Sequence, residues 1–257
     1  MDDHFLFYVP SDQMVGNQIR FSDEETRHIS KVLRKRPGDV VRVTDGSGLL
    51  LTVRLFDFGK REVCGEVIDR ELTPAEFERI LALGVIRQRD RLEFAIEKAV
   101  ELGATRLVLV HSDNAEKVSV KASRIDKIII SAMKQSRRTH LPQWEERESF
   151  SDTIAVYRDN CKIFMAHPGG SDRTEWMPTN NDLVTAKKPD SEQRPDDLEQ
   201  RPDDVKPQLL LVGPEGGFSD VEVGQAVDSG AELVSLGPTR LRAETAVCAI
   251  LTLVRVS

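Results

Sequence analysis

Two segments near the C-terminus constrain the fold most. Leu209-Leu-Leu-Val-Gly-Pro-Glu-Gly-Gly-Phe-Ser-Asp220 is answered by Leu236-Gly-Pro-Thr-Arg-Leu-Arg-Ala-Glu-Thr-Ala246. Each half reads as an apolar strand entering a loop bent by glycine and proline, followed by a helix. Ser219 with Glu222 three residues on has the spacing of a capping box, and marks where one helix starts. Strand–loop–helix units side by side imply a parallel sheet, and ligands of such sheets sit at the carboxyl ends of the strands.

The chain has 257 residues, enough for one large or two small domains. No apolar run approaches the roughly 20 residues that span a bilayer, and the acidic start Met1-Asp-Asp-His lacks a signal-peptide pattern. Cys64, Cys161 and Cys248 are too dispersed for a disulfide or metal pattern, so a reducing, cytoplasmic setting is expected. The net charge of −7 argues against a general nucleic-acid binder unless basic residues are locally concentrated.

Residues 1–72 carry short strand signals at 5–9, 39–44, 49–55 and 62–68, with one helix over 22–33 capped by Ser22. Many strands and one helix suggest a small β-barrel. From residue 73 onward strands and helices alternate. Strands are expected at 80–86, 106–110, 162–166, 209–212 and 232–236, and helices at 90–102 and 123–138 and opening at Ser219 and near Ala243. Residues 175–207 break this rhythm, repeat Glu-Gln-Arg-Pro-Asp-Asp and hold almost no large apolar residue, which reads as a disordered insertion.

Glycines in the 213–217 loop let the backbone approach a ligand closely. A tight turn without a ligand fits the same residues. No Lys-Ser/Thr pair follows the glycines, and no Gly-x-Gly-x-x-Gly follows the first strand of the α/β region, so ordinary nucleotide sites are disfavoured. In the second loop Glu244 suits the positive end of the last helix, or frames a ligand together with Thr245.

Gly213-Pro-Glu-Gly-Gly-Phe-Ser219 and the 236–246 segment resemble the signature of the small-subunit ribosomal RNA uridine-N3 methyltransferases of the SPOUT class. His28-Ile-Ser-Lys-Val-Leu-Arg34, Lys98-Ala-Val-Glu-Leu-Gly103 and Gln135-Ser-Arg-Arg-Thr-His-Leu-Pro142 extend the resemblance over nearly the whole chain. It implies an α/β fold in which a trefoil-knotted SPOUT parallel-sheet domain (73–257) follows a PUA-like β-barrel that holds RNA (1–72). It also implies a homodimer without metal, acting on 16S ribosomal RNA within the small subunit.

S-adenosyl-L-methionine is expected at Ala166, His167, Val212, Gly213, Pro214, Glu215, Gly216, Gly217, Leu236, Gly237, Leu241, Arg242, Glu244, Thr245 and Ala246. The RNA-contacting candidates are Lys31, Arg34, Lys35, Arg36, Arg124, Lys127, Lys134, Arg137 and Arg138, with Arg124, Lys127, Lys134 and Arg138 sharing one helix face. Arg138 and Arg242 are candidates to stabilise a uridine N3 anion. Glu244, His140 and His167 are candidate proton acceptors. A SPOUT enzyme for another RNA position and a non-catalytic RNA-binding factor remain alternatives.

Overall fold

A computed structural model describes residues 5–59, 62–116, 118, 120–171 and 206–255. Residues 175–205 of the expected insertion and the Met1-Asp-Asp-His start lie outside these. The chain forms two compact units, one of residues 1–77 and 120–143, the other of 78–119 and 144–257.

The first unit is built on β1 (Leu6–Tyr8), β2 (Met14–Val15), β3 (Gln18–Arg20), β4 (Val40–Thr44), β5 (Leu49–Phe58) and β6 (Val63–Leu72). They form one sheet in the order β1-β4-β5-β6-β3-β2, antiparallel except where β1 joins β4. Alternation along β5 buries Leu51, Val53 and Leu55 among Phe7, Phe21 and Ile29. Helix α1 (Asp23–Arg27) starts where Ser22 accepts from the Glu25 N–H, and a π-helical turn (His28–Val32) continues it.

An amphipathic helix, α3 (Ala122–Gln135), also belongs to this unit and buries Ile125, Ile128, Ile129, Ala132 and Met133. The segment after it is sewn to the sheet by polar contacts. The Thr44 hydroxyl and the Gly48 N–H both donate to the Thr139 carbonyl, and the Leu141 N–H donates to Gly46. By compactness residues 120–143 thus group with the N-terminal strands.

The second unit holds β7 (Arg79–Gly84), α2 (Arg89–Glu101), β8 (Arg106–Val110), β9 (Gln143–Arg147), α4 (Phe150–Tyr157), β10 (Lys162–Ser171), β11 (Gln208–Val212), α5 (Asp220–Asp228), β12 (Glu232–Val234) and α6 (Ala243–Arg255). Its sheet runs β12-β10-β11-β7-β8-β9, and every pairing from β12 to β8 is parallel. One face packs Ile80, Ala82, Val108, Met165 and Leu211 against Phe150 and Ile154 of α4 and Ala226 of α5. The alternate residues Leu81, Leu83, Leu107, Leu109 and Leu210 are equally buried. A parallel sheet covered on both faces requires such continuous apolar strands. Helices α2 and α6 pack together, and α6 also meets β11. Among the described residues no helix is long and apolar enough to cross a membrane.

The polar edge strand β9 and the helix α4 were not expected. Strand β10 also runs five residues beyond the expected end at Ala166, through His-Pro-Gly-Gly-Ser171. Its register explains why. Ala166 and Ser171 both oppose Val234, so residues 167–170 bulge out of the ladder.

Candidate active site

Parallel strands place their carboxyl ends on one side, so the loops after β10, β11 and β12 converge. Together they line a cavity of about 1160 Å³. The β10 bulge gives it Ala166, His167 and Pro168, the loop after β11 gives residues 213–218, and the loop after β12 gives residues 235–243. Val212 and Ala246 complete it from a strand end and the first turn of α6, and Arg91 enters from α2.

Local chemistry fixes these loops. Gly84 of β7 sits beneath the first, where a β-carbon would collide with Pro214 Cδ and lie 2.6 Å from its nitrogen, so only glycine admits this approach. Gly217 closes the turn at φ 75°, a left-handed conformation that glycine adopts without strain. Ser219 and Glu222 form the expected capping box. Glu222 is 3% exposed, and besides the Ser219 N–H it accepts the Asp113 N–H at 2.9 Å. The Ser219 hydroxyl donates to Asp113 at 2.7 Å, and Asn114 donates to the Gly217 carbonyl at 3.2 Å. The segment after β8 is thereby tied to the glycine loop.

Thirteen of the expected cofactor residues line the cavity, namely Ala166, His167, Val212, Gly213, Pro214, Glu215, Gly216, Gly217, Leu236, Gly237, Leu241, Arg242 and Ala246. Glu244 and Thr245 do not. Thr245 is exposed, while Glu244 is 9% exposed, with Oε1 at 3.6 Å from Arg91 Nε and Oε2 buried without a hydrogen-bond partner. Sequence reasoning overlooked Arg91, Phe218, Ser235 and Arg240. Phe218 and Arg240 sit inside motifs already singled out. Arg91 carries no local signal beyond its place just after β7.

The remaining candidates are distributed otherwise. Arg138 belongs to the first unit, where its guanidinium is paired with Glu76 through two nitrogens. The expected basic face over Arg124, Lys127, Lys134 and Arg138 is interrupted. The helix ends at Gln135, Arg137 turns the chain at φ 58°, and Lys134 lies 2.6 Å from the buried Glu25. Lys31, Arg34, Arg36, Arg124, Lys127 and Arg137 are exposed, and Lys35 is half-buried.

Of the candidate bases, His140 packs against Gly48 in the first unit. His167 Nδ1 accepts the Gly169 N–H at 3.1 Å. This contact favours the tautomer with Nδ1 as acceptor and Nε2 as donor. Glu244 is engaged with Arg91. Burial pushes the Cys248 thiol of α6 above its usual value, consistent with a packing residue.

A cavity with an apolar floor (Val212, Leu236, Leu241, Ala246), walls of loop backbone and cations at its rim suits a ligand joining a flat ring to a charged tail. Comparison with known proteins agrees with this reading. Residues 73–255 match the RNA methyltransferase domain family and residues 21–68 the RNA methyltransferase PUA domain. A probable rRNA-methyltransferase from Porphyromonas gingivalis is similar at 28% identity and a TM-score of 0.78, over 98% of this chain and 97% of that one. A ribosomal RNA small subunit methyltransferase E from Neisseria gonorrhoeae, solved bound to S-adenosyl methionine, is similar at 27% identity and a TM-score of 0.74, over 96% and 94%. The protein of that name from Mesomycoplasma hyopneumoniae is 30% identical over 67% of each chain. The expected SPOUT-type α/β domain, the PUA domain and S-adenosyl-L-methionine as the ligand of the family all stand. The chain belongs to the ribosomal RNA small subunit methyltransferase E family of RNA methyltransferases.

Proposed function

We propose that the protein methylates N3 of a uridine in 16S ribosomal RNA, using S-adenosyl-L-methionine held in the cavity over β10, β11 and β12. The observation that carries this reading is the convergence of the two glycine–proline loops with the β10 bulge. Val212, Leu236, Leu241 and Ala246 offer apolar surface for the adenine, and the 213–217 backbone can approach the ribose and amino-acid groups. When bound, the cofactor supplies a methyl group already activated by its sulfonium.

The chain's own task is to align the uracil and to favour its N3 anion, so that the nitrogen has a lone pair to attack with. Positioning supplies much of the acceleration, and cations at the rim lower the cost of the anion. Arg242 lines the cavity and is kept as a candidate for this. Arg138, paired with Glu76 in the first unit, is the other candidate that the sequence offers. The N3 proton passes to solvent water, which needs no side chain placed at the nitrogen.

The exposed cations of the first unit, Lys31, Arg34, Arg36, Arg124, Lys127 and Arg137, are proposed to hold RNA phosphates. The trefoil knot, the homodimer and a cytoplasmic site belong to the same reading and rest on the family resemblance. Methyl transfer from labelled cofactor to small subunits lacking the modification, followed by nucleoside analysis, tests it. The expected product is 3-methyluridine. A different methylated nucleoside, or none despite cofactor binding, overturns it.

A further inference from the structure

A second cavity, of about 620 Å³, opens over the carboxyl ends of β7 and β8. It is lined by Arg87 and Gln88 after β7, Asn114 and Glu116 after β8, and Glu215 and Gly216 after β11. The last two also line the cofactor cavity, so the two spaces are neighbours along one edge of the sheet. Arg91 is the one cation common to both linings.

We infer that the second cavity receives the target uracil and that Arg91, at the junction, is a catalytic residue that holds the negative charge of its N3 anion. This rests on the uridine-N3 reading above.

Three observations support Arg91 over its neighbours. Arg87 is bonded to Glu116 at 2.9 Å, and Arg240 donates to the Glu215 carbonyl at 3.3 Å. Among the described residues the Arg91 guanidinium makes no hydrogen bond within 3.5 Å, and its nearest carboxylate atom is Glu244 Oε1, at 3.6 Å from Nε. Its terminal nitrogens are thus left for a ligand. Glu244, 9% exposed with Oε2 unpartnered and Oε1 3.6 Å from Arg91 Nε, acts as a positioning residue that keeps this arginine in place.

The chemistry matches the group. Loss of the N3 proton spreads negative charge over O2, N3 and O4. A guanidinium presents a planar fork of donors and stays protonated throughout. It can donate to one flanking carbonyl oxygen and leave the nitrogen lone pair clear. The N3–CH3 bond then forms as the S–CH3 bond breaks, sulfur keeps the bonding pair, and the N3 proton has already gone to solvent water.

The test is single-turnover methyl transfer by the full chain across a pH series, for the wild type, R91M and R91K, with cofactor affinity measured by calorimetry. Wild-type rates rise with pH as N3 ionises. R91M is expected to be about 100-fold slower near neutrality, the effect of losing one preorganised donor to a developing charge. Its rise is displaced to higher pH, so the deficit narrows in alkali. R91K recovers part of both effects, and cofactor affinity changes by less than about threefold. R89M, which loses only the surface pair with Glu93, keeps the wild-type profile.

A profile for R91M that is unmoved along the pH axis, whether lowered or not, overturns the inference. So does a loss that falls on cofactor affinity, which would place Arg91 on the cofactor carboxylate. A wild-type product other than 3-methyluridine overturns the functional reading itself, and is distinguished by being seen before any variant is made.

Discussion

The carboxylate of Glu222 accepts a hydrogen bond from the backbone N–H of Asp113, 109 residues away in sequence, at 2.9 Å. Its other oxygen accepts from the Ser219 N–H at 2.8 Å. One buried charge therefore holds the end of β8 against the glycine loop after β11. Replacing Glu222 by alanine leaves both donors without their partner. A cost of about 2–4 kcal/mol is expected, in the range for hydrogen bonds to a buried charged acceptor. Denaturant unfolding measures it. Calorimetry should show weaker S-adenosyl-L-methionine binding as well, because the 213–218 loop loses its anchor. Stability lost without loss of affinity would mean the loop is held by other contacts.

Gly84 and Pro214 make a second, steric link between β7 and the same loop. A methyl group at position 84 would overlap Pro214 Cδ and sit 2.6 Å from its nitrogen. The proline ring cannot rotate away as a flexible side chain would, so the loop itself must move. G84A is expected to destabilise by about 1–3 kcal/mol, as overpacking does, and to weaken cofactor binding. An unchanged thermal midpoint and affinity would show that the loop yields freely.

The parts legible in the sequence were those with strong local chemistry. The Gly-Pro loops, the Ser219 cap and the apolar faces of α2 and α3 each announce themselves through residue type or period. What stayed hidden depends on partners distant in the chain. Strand β9, Gln-Trp-Glu-Glu-Arg, is an edge strand whose charges mask its pairing. The β10 extension runs through proline and glycines that read as a loop end, and only the register with β12 reveals a bulge. The period of α3 shows that one face is buried but not against what. The segment that follows it is tied to the first unit through Thr44, Thr73 and Thr139, hydroxyl contacts that leave no hydrophobic pattern. Arg91 is an unremarkable helix-surface residue until strand order brings β7 beside β11.

Lys134 and Lys127 lie on the same helix and should separate stability from RNA affinity. Lys134 is 2.6 Å from Glu25, whose side chain is 6% exposed. K134M leaves that carboxylate buried without its counter-ion, at an expected cost of about 3–5 kcal/mol. Lys127 is exposed. K127A should leave the unfolding midpoint in place and weaken RNA binding alike for all sequences. The slope of log affinity against log salt should then fall by about 0.7–0.9 for each phosphate that this lysine neutralises. RNA titrations at several salt concentrations check this. An unchanged slope for K127A removes Lys127 from the RNA surface.

Tyr157 of α4 should give the protein an alkaline limit. Burial, then a hydrogen bond to Glu145 at 2.7 Å and the charge of that carboxylate, raise its phenol above the ordinary value of 10.0. In the unfolded chain the phenol ionises near 10, while in the fold it stays protonated well beyond that. Above pH 10 the unfolded state therefore binds fewer protons than the native one, and unfolding becomes easier as pH rises. The contribution of this group is fully present below about pH 10 and is lost steadily above it. Phenylalanine cannot ionise, so Y157F should flatten this part of the alkaline limb. It should cost about 0.5–1.5 kcal/mol near neutrality for the missing hydrogen bond. Unfolding free energies measured from about pH 8 to about pH 11.5 decide the matter. Parallel curves for the two proteins would assign the alkaline limit to other groups.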